Sequence, residues 1–168
     1  MAEFTQFEIY MILNQHKPLW LQSIDLSKVS LIGIDLTDAY LGQANLSGAL
    51  LHYANLTGAY LKTADMRDAI LINANLTNAN LQGADLSNAK LNSANLSGAN
   101  LRSTTLKGAF LTNVELRGAY YTEYTQWPKE FDPKKAGAIE VPPDSSEIKN
   151  EEIRNVIENA HKNWKASL

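Results

Sequence analysis

Three histidines, His16, His52 and His161, and one adjacent carboxylate pair, Glu151 and Glu152, are the side chains best suited to acid–base or metal chemistry. Such chemistry needs groups that converge within hydrogen-bond or ligand distance. The histidines fall in three separate regions, and no His-x-x-x-His or comparable ligand spacing occurs. Each reads as a solvated side chain. Glu151–Glu152 lies in a charged run and reads as its wet face. Cysteine is absent, so neither a disulfide nor a thiolate metal site can form. Serines and threonines recur at turn positions rather than beside a base. The glycines are spaced for corners, and no nucleophile elbow, phosphate loop or dinucleotide fingerprint is present. The expectation is a protein that is not an enzyme, with no catalytic, cofactor-binding or metal residues.

The elements that hold these residues follow from a period of five. From Leu26 to Leu116 every fifth residue is leucine except Met66, eighteen leucines in nineteen positions. Two residues before each stands a small residue, alanine at all thirteen positions from Ala39 to Ala99, then at Ala109 and Ala119. On an α-helix five residues advance about 500°, so the leucines would spiral and form no stripe. On a flat strand an odd period points successive leucines to opposite faces. Only a backbone that bends once per repeat keeps them all inside. Alanine and leucine face inward on a short extended piece, and two further residues make the turn. Turn chemistry agrees. Ser or Thr follows leucine at Ser27, Thr37, Ser47, Thr57 and Thr77, and glycine or asparagine comes next at Gly33, Gly48, Gly58, Asn78 and Asn88. Glycine and asparagine accept positive φ most readily. Asp or Asn between alanine and leucine, as at Asp65 and Asn75, can bond to backbone at the corner.

The run "ANLSGALLHYANLTGAYLKTAD" and the later "ANLTNANLQGADLSNAKLNSANLSGANL" resemble the pentapeptide-repeat family over about 100 residues. The resemblance implies an all-β solenoid, a right-handed quadrilateral β-helix of about five coils with four repeats in each. The N-terminal region and "YTQWPKEFDPKKAGA" are similar to those of cyanobacterial-type members. Residues 1–20 are expected to form an N-terminal helical cap, 21–123 the repeat helix, and 124–168 a C-terminal cap segment ending in an α-helix. Phe4, Phe7, Met11 and Ile12 lie at helical spacing before Pro18. After Pro142–Pro143, a capping-box pair, Asp144 and Glu147, precedes one apolar stripe of Ile148, Ile153, Val156, Ile157, Ala160 and Trp164. Both helices are expected to cover open ends of the rod. The end positions Ile24, Val29, Ile34, Thr104 and Val114 depart from alanine where those caps dock.

Charge narrows the partners. Residues 1–20 carry two acids and one base, residues 21–123 eight and seven, and residues 124–168 eight and seven, so each segment is -1. A basic stripe interleaved with aromatics is missing, so nucleic acid is not an expected partner. No basic–apolar leader is evident, and no apolar run approaches the roughly 20 residues of a membrane span, so a cytoplasmic protein without a membrane partner is expected. With four repeats per coil, residues twenty apart stack on one side. Asn55, Asn75 and Asn95 should form an amide ladder and Tyr40 should lie under Tyr60. Ile32, Leu50, His52, Tyr53, Ile70 and Ile72, with Phe110 further along, gather on one otherwise uncharacteristic apolar side. That side is a partner-binding face, a seat for a terminal segment or a scatter of surface apolar residues. The leading functional expectation is a structural or interaction module that binds a protein partner, as a monomer or as a homodimer through the C-terminal helix. The resemblance also suggests an alternative, a DNA-mimic protein that binds gyrase. The near-neutral repeat region argues against it.

Overall fold

The computed structural model of the chain describes Met11 and residues 17–143. The expected N-terminal helix and the expected helix after Pro143 lie outside the described residues, apart from Met11, an exposed side chain.

Each repeat closes a turn in which the leucine carbonyl accepts the N–H three residues on, as Leu76 accepts from Ala79 at 3.0 Å. The second turn residue is left-handed at all twenty consecutive corners from Ser23 to Gly118, with φ between 55° and 70°. Seven of these are glycine and thirteen are not. The extended piece between corners is so short that one residue per side bridges to the next coil. Trp20, Tyr40, Tyr60, Asn80, Asn100 and Tyr120 form one such column, in parallel register throughout. Three further columns run from Asp25, Ser30 and Asp35, each advancing by twenty residues. The cross-section is therefore four-sided, and we number its sides first to fourth from these starting residues. A typical rung has Leu56 N–H donating to Asn75 O at 2.7 Å and Asn75 N–H donating to Ala54 O at 2.9 Å. Five coils stack in this way.

The interior is a single column. Every leucine of the repeat is buried except Leu111, which is partly exposed, and Met66 is fully buried among them. A buried leucine contributes on the order of 2 kcal/mol, which offsets the left-handed strain at the corners, about 1–2 kcal/mol for each non-glycine. Thr104, where alanine is expected, is buried and donates its hydroxyl to Leu81 O at 2.8 Å.

At the C-terminal end the structure describes the first part of the expected cap segment, residues 124–143. Residues 124–143 themselves make the cover. Gln126 bridges Thr105 on the second side, and Gly118 N–H donates to Gly137 O on the fourth. Strand β1 (Tyr120–Tyr121) pairs in parallel with β2 (Ile139–Glu140) on the first. Between these, Trp127 and Phe131 pack on the core, with ring centroids 5.4 Å apart, and Tyr121 meets Trp127 edge-on at 5.4 Å. The period of five is lost here because this segment, besides adding these rungs to the wall, also fills the end of the column.

Candidate functional site

A recurrent side-chain bond steadies the corners. The Asp or Asn before leucine accepts the N–H two residues on, as in Asp65 to Arg67 at 3.1 Å and Asn75 to Thr77 at 3.1 Å. Ten such caps occur among the described residues. They lie on the first, second and fourth sides. The Thr77 hydroxyl also bonds to Asn75 Oδ1, at 2.6 Å. This geometry corrects one expectation. Asn55, Asn75 and Asn95 do stack in register, but their amide oxygens bind their own corners rather than one another. Amide nitrogens do reach the coil below, from Asn55 to Thr37 Oγ1 (2.9 Å), Asn45 to Asp25 (3.0 Å) and Asn100 to Asn80 (3.1 Å).

The third side has none of these caps. Its bridging column reads Ser30, Leu50, Ile70, Lys90 and Phe110, and the turn N–H groups of Ile32, His52 and Ile72 have no protein acceptor among the described residues. Leu50 and Ile70 stand where the second and fourth sides place a capping Asp or Asn, and the first side lacks the cap in the same way at Trp20, Tyr40 and Tyr60. All six residues singled out by sequence fall on this side. Leu50 and Ile70 bridge directly, and Ile32, His52 and Ile72 follow the buried leucines of the first three coils. Ile32 is 56% and Tyr53 66% exposed, while Leu50, His52, Ile70 and Ile72 are half-buried. Phe110, two coils above Ile70, is likewise exposed. Lys90 is the one formal charge among the outward residues of this side.

Tyr53 stands apart from its neighbours. It occupies a left-handed corner, φ 58°, where coil by coil the same position holds Gly33, Asn73, Ser93 and Asn113. A bulky residue in this conformation is a genuine outlier, and the phenol receives little burial in return. Sequence reasoning named Tyr53 for its apolar surroundings and missed its strain. The signal was its place two residues after Leu51 in a column of Gly, Asn and Ser.

A second aromatic feature lies on the opposite, first side. Trp20 stacks on Tyr40 at 4.1 Å and 3°, and Tyr40 meets Tyr60 at 6.2 Å and 41°, as expected for the two tyrosines. Gly42 is buried beneath Tyr60, whose ring would stand 3.1 Å from any added Cβ. Trp20 is the first rung of this ladder. Trp20 is 72% exposed, and Tyr40 and Tyr60 are 38% exposed each.

On the second side, Arg67 lies 2.6 Å from Asp65, and that hydrogen bond holds the Asp65 carboxyl below its usual range. Asp25 and Asp85 share the column, but Asn45 interrupts it, and Lys28 and Lys107 flank it. Among the described residues no group of His, Asp and Glu could hold a metal ion. No helix among them is long and apolar enough to cross a membrane.

The fold and this surface define a short parallel β-solenoid with one apolar, uncapped side. Comparison with known proteins places it further. The family described as pentapeptide repeats matches residues 30–68, 69–108 and 94–120 in eight copies, which together span more than half of the chain. The chain belongs to the pentapeptide-repeat family, whose fold is a right-handed β-helix. Among solved structures it is similar to Rfr23, a pentapeptide repeat protein of the cyanobacterium Cyanothece 51142. The two are 34% identical over 68% of this chain and 67% of that one, with TM-score 0.41. A second relative is alr5209 of Nostoc PCC 7120, 30% identical over 73% of this chain and 84% of that one, with TM-score 0.44. HetL, involved in heterocyst differentiation regulation in Nostoc sp. strain PCC 7120, is 30% identical over 60% of each chain, with TM-score 0.40. No curated protein matches.

Proposed function

We propose that this protein is a non-enzymatic interaction module that binds a protein partner through its third side, at Ile32, Leu50, His52, Tyr53, Ile70 and Ile72. The observation that carries this reading is Tyr53: an exposed aromatic held in a strained backbone conformation, on the side that also forgoes its corner caps. A fold selected for stability alone would place Gly, Asn or Asp there, as thirteen of the nineteen other corners do, the rest holding Ser, Lys, Gln or Thr. Strain retained at an exposed position is characteristic of recognition sites, and a solvent-facing aromatic beside aliphatics supplies the anchor such sites use.

The test is a capture experiment with the triple variant Leu50→Ser, Tyr53→Ser, Ile70→Ser beside the wild-type protein. The proposal expects loss of specifically retained proteins while circular dichroism stays unchanged. Retention of the same proteins by the folded variant removes it.

The alternative reading, gyrase binding through a DNA-like acidic surface, requires a continuous run of negative potential. The second side comes nearest, but its carboxylates alternate with Asn45, Arg67 and Lys107. A supercoiling assay at micromolar protein should show no inhibition.

A further inference from the structure

The second side of the rod shows what an open corner N–H takes as its partner. There Asp85 Oδ1 accepts the Ser87 N–H at 2.9 Å, and Asp25, Asn45 and Asp65 do the same in their own coils. On the third side the matching N–H groups of Ile32, His52, Ile72, Asn92 and Thr112 have no acceptor among the described residues. In the fourth coil the capping position is held by Lys90. An exposed ammonium therefore takes the place that Asp85 fills one side earlier, next to the open Asn92 N–H.

Lys90 forms no ion pair with a described residue. Asp68, at the corner with the second side one coil below, lies beyond ion-pair distance, and Lys107 holds the matching corner one coil above. No outward residue of the third side is acidic. A cation and an N–H donor side by side, without an anion from their own chain, suit a carboxylate brought from outside.

The rest of the side sets what must carry that carboxylate. Lys90 bridges Ile70 below and Phe110 above, so apolar residues flank the charge along the column. Five coils give a face of roughly 20 Å by 10 Å at strand spacing. That is well short of the roughly 800 Å² each partner gives to a standard interface between globular proteins. A single helix, about 10 Å across, or one extended strand covers it. A second copy meeting it side to side brings another lysine and no carboxylate.

We propose that the partner presents a short apolar segment bearing one carboxylate. The carboxylate binds Lys90 and the Asn92 N–H, and the apolar residues around it cover Leu50, Ile70 and Phe110. This rests on the third side being the interaction surface and adds the chemistry of what binds there.

The probe is a random-peptide library displayed on phage and selected on the full-length protein. The expected binders combine apolar residues with one Asp or Glu. Lys90→Glu changes an exposed side chain, and it should weaken a selected synthetic peptide about tenfold in calorimetry. Replacing the peptide's acid by lysine should restore binding to that variant and lose it on the wild type. Binders without an acid, or binding indifferent to Lys90→Glu, would overturn the proposal. If the folded triple variant Leu50→Ser, Tyr53→Ser, Ile70→Ser abolishes those same binders, the third side survives as the surface and only its carboxylate is lost. Binders that the triple variant retains lie elsewhere and overturn the third side itself. A selection that yields no binder removes a short segment as the occupant, and the proposal with it.

Discussion

Asp65 shows how much one side chain does at a corner. Its Oδ1 accepts the Arg67 N–H at 3.1 Å, and its other oxygen meets the guanidinium at 2.6 Å. Asparagine keeps the first bond and alanine keeps neither, so Asp65→Asn should be nearly neutral and Asp65→Ala should lose about 1 kcal/mol in chemical denaturation. Asp25, Asp65 and Asp132 all have carboxyls held below the ordinary value by hydrogen bonds, from Ser27, Arg67 and the Lys135 backbone respectively. A carboxylate with a lowered folded pKa adds stability above its unfolded pKa, about 3.9, and loses it as pH falls through the folded value. Melting temperature should therefore hold through neutral pH and decline on acidification below about pH 4. Asp65→Asn should flatten that acid limb. Glycine is demanded most plainly at Gly58, where φ is 67° and an added Cβ would also run into the Asp38 carboxylate. Gly33, at φ 66° with open space around it, isolates the backbone term: Gly33→Ala should cost about 1–2 kcal/mol, and Gly58→Ala more.

At the scale of the coil, the wall and the filling are matched. Leu76 and Ala74 are both buried in the middle of the column. Leu76→Ala should lose about 2–5 kcal/mol through the cavity it leaves, and Ala74→Leu about 1–3 kcal/mol through overpacking. Denaturant midpoints at unchanged slope would check both. This part of the fold was legible because one period fixed everything: leucine inside, alanine beside it, corner after it. The corner conformation at Tyr53, Thr63 and Lys28 was not legible from those residues themselves. Their preferences oppose positive φ, and the coils above and below impose it. The amide column failed as an expectation for a related reason. The corner N–H two residues on needs an acceptor, and the amide oxygens of Asn55, Asn75 and Asn95 supply it.

At the scale of the whole rod, the ends are set by residues outside the period. Trp127 and Phe131 pack on the core at the C-terminal end, within the segment expected as a cap, and no spacing announces those contacts. Trp127→Ala should lose about 3 kcal/mol. Amide exchange should then rise first in the fifth coil, since a solenoid frays from an uncovered end. The candidate side was legible as a list of residues, because a twenty-residue register places Ile32, Leu50 and Ile70 together. Its two signs of function, strain at Tyr53 and missing caps, needed backbone angles and hydrogen bonds.

The most direct measurement uses Tyr53→Gly, read twice in the full-length chain. Glycine relieves the left-handed corner, so thermal stability should rise by about 0.5–1 kcal/mol, while specific capture of the protein partner falls. A destabilised variant that captures the same proteins as wild type would make Tyr53 a structural residue and would contradict the assignment of the third side to recognition.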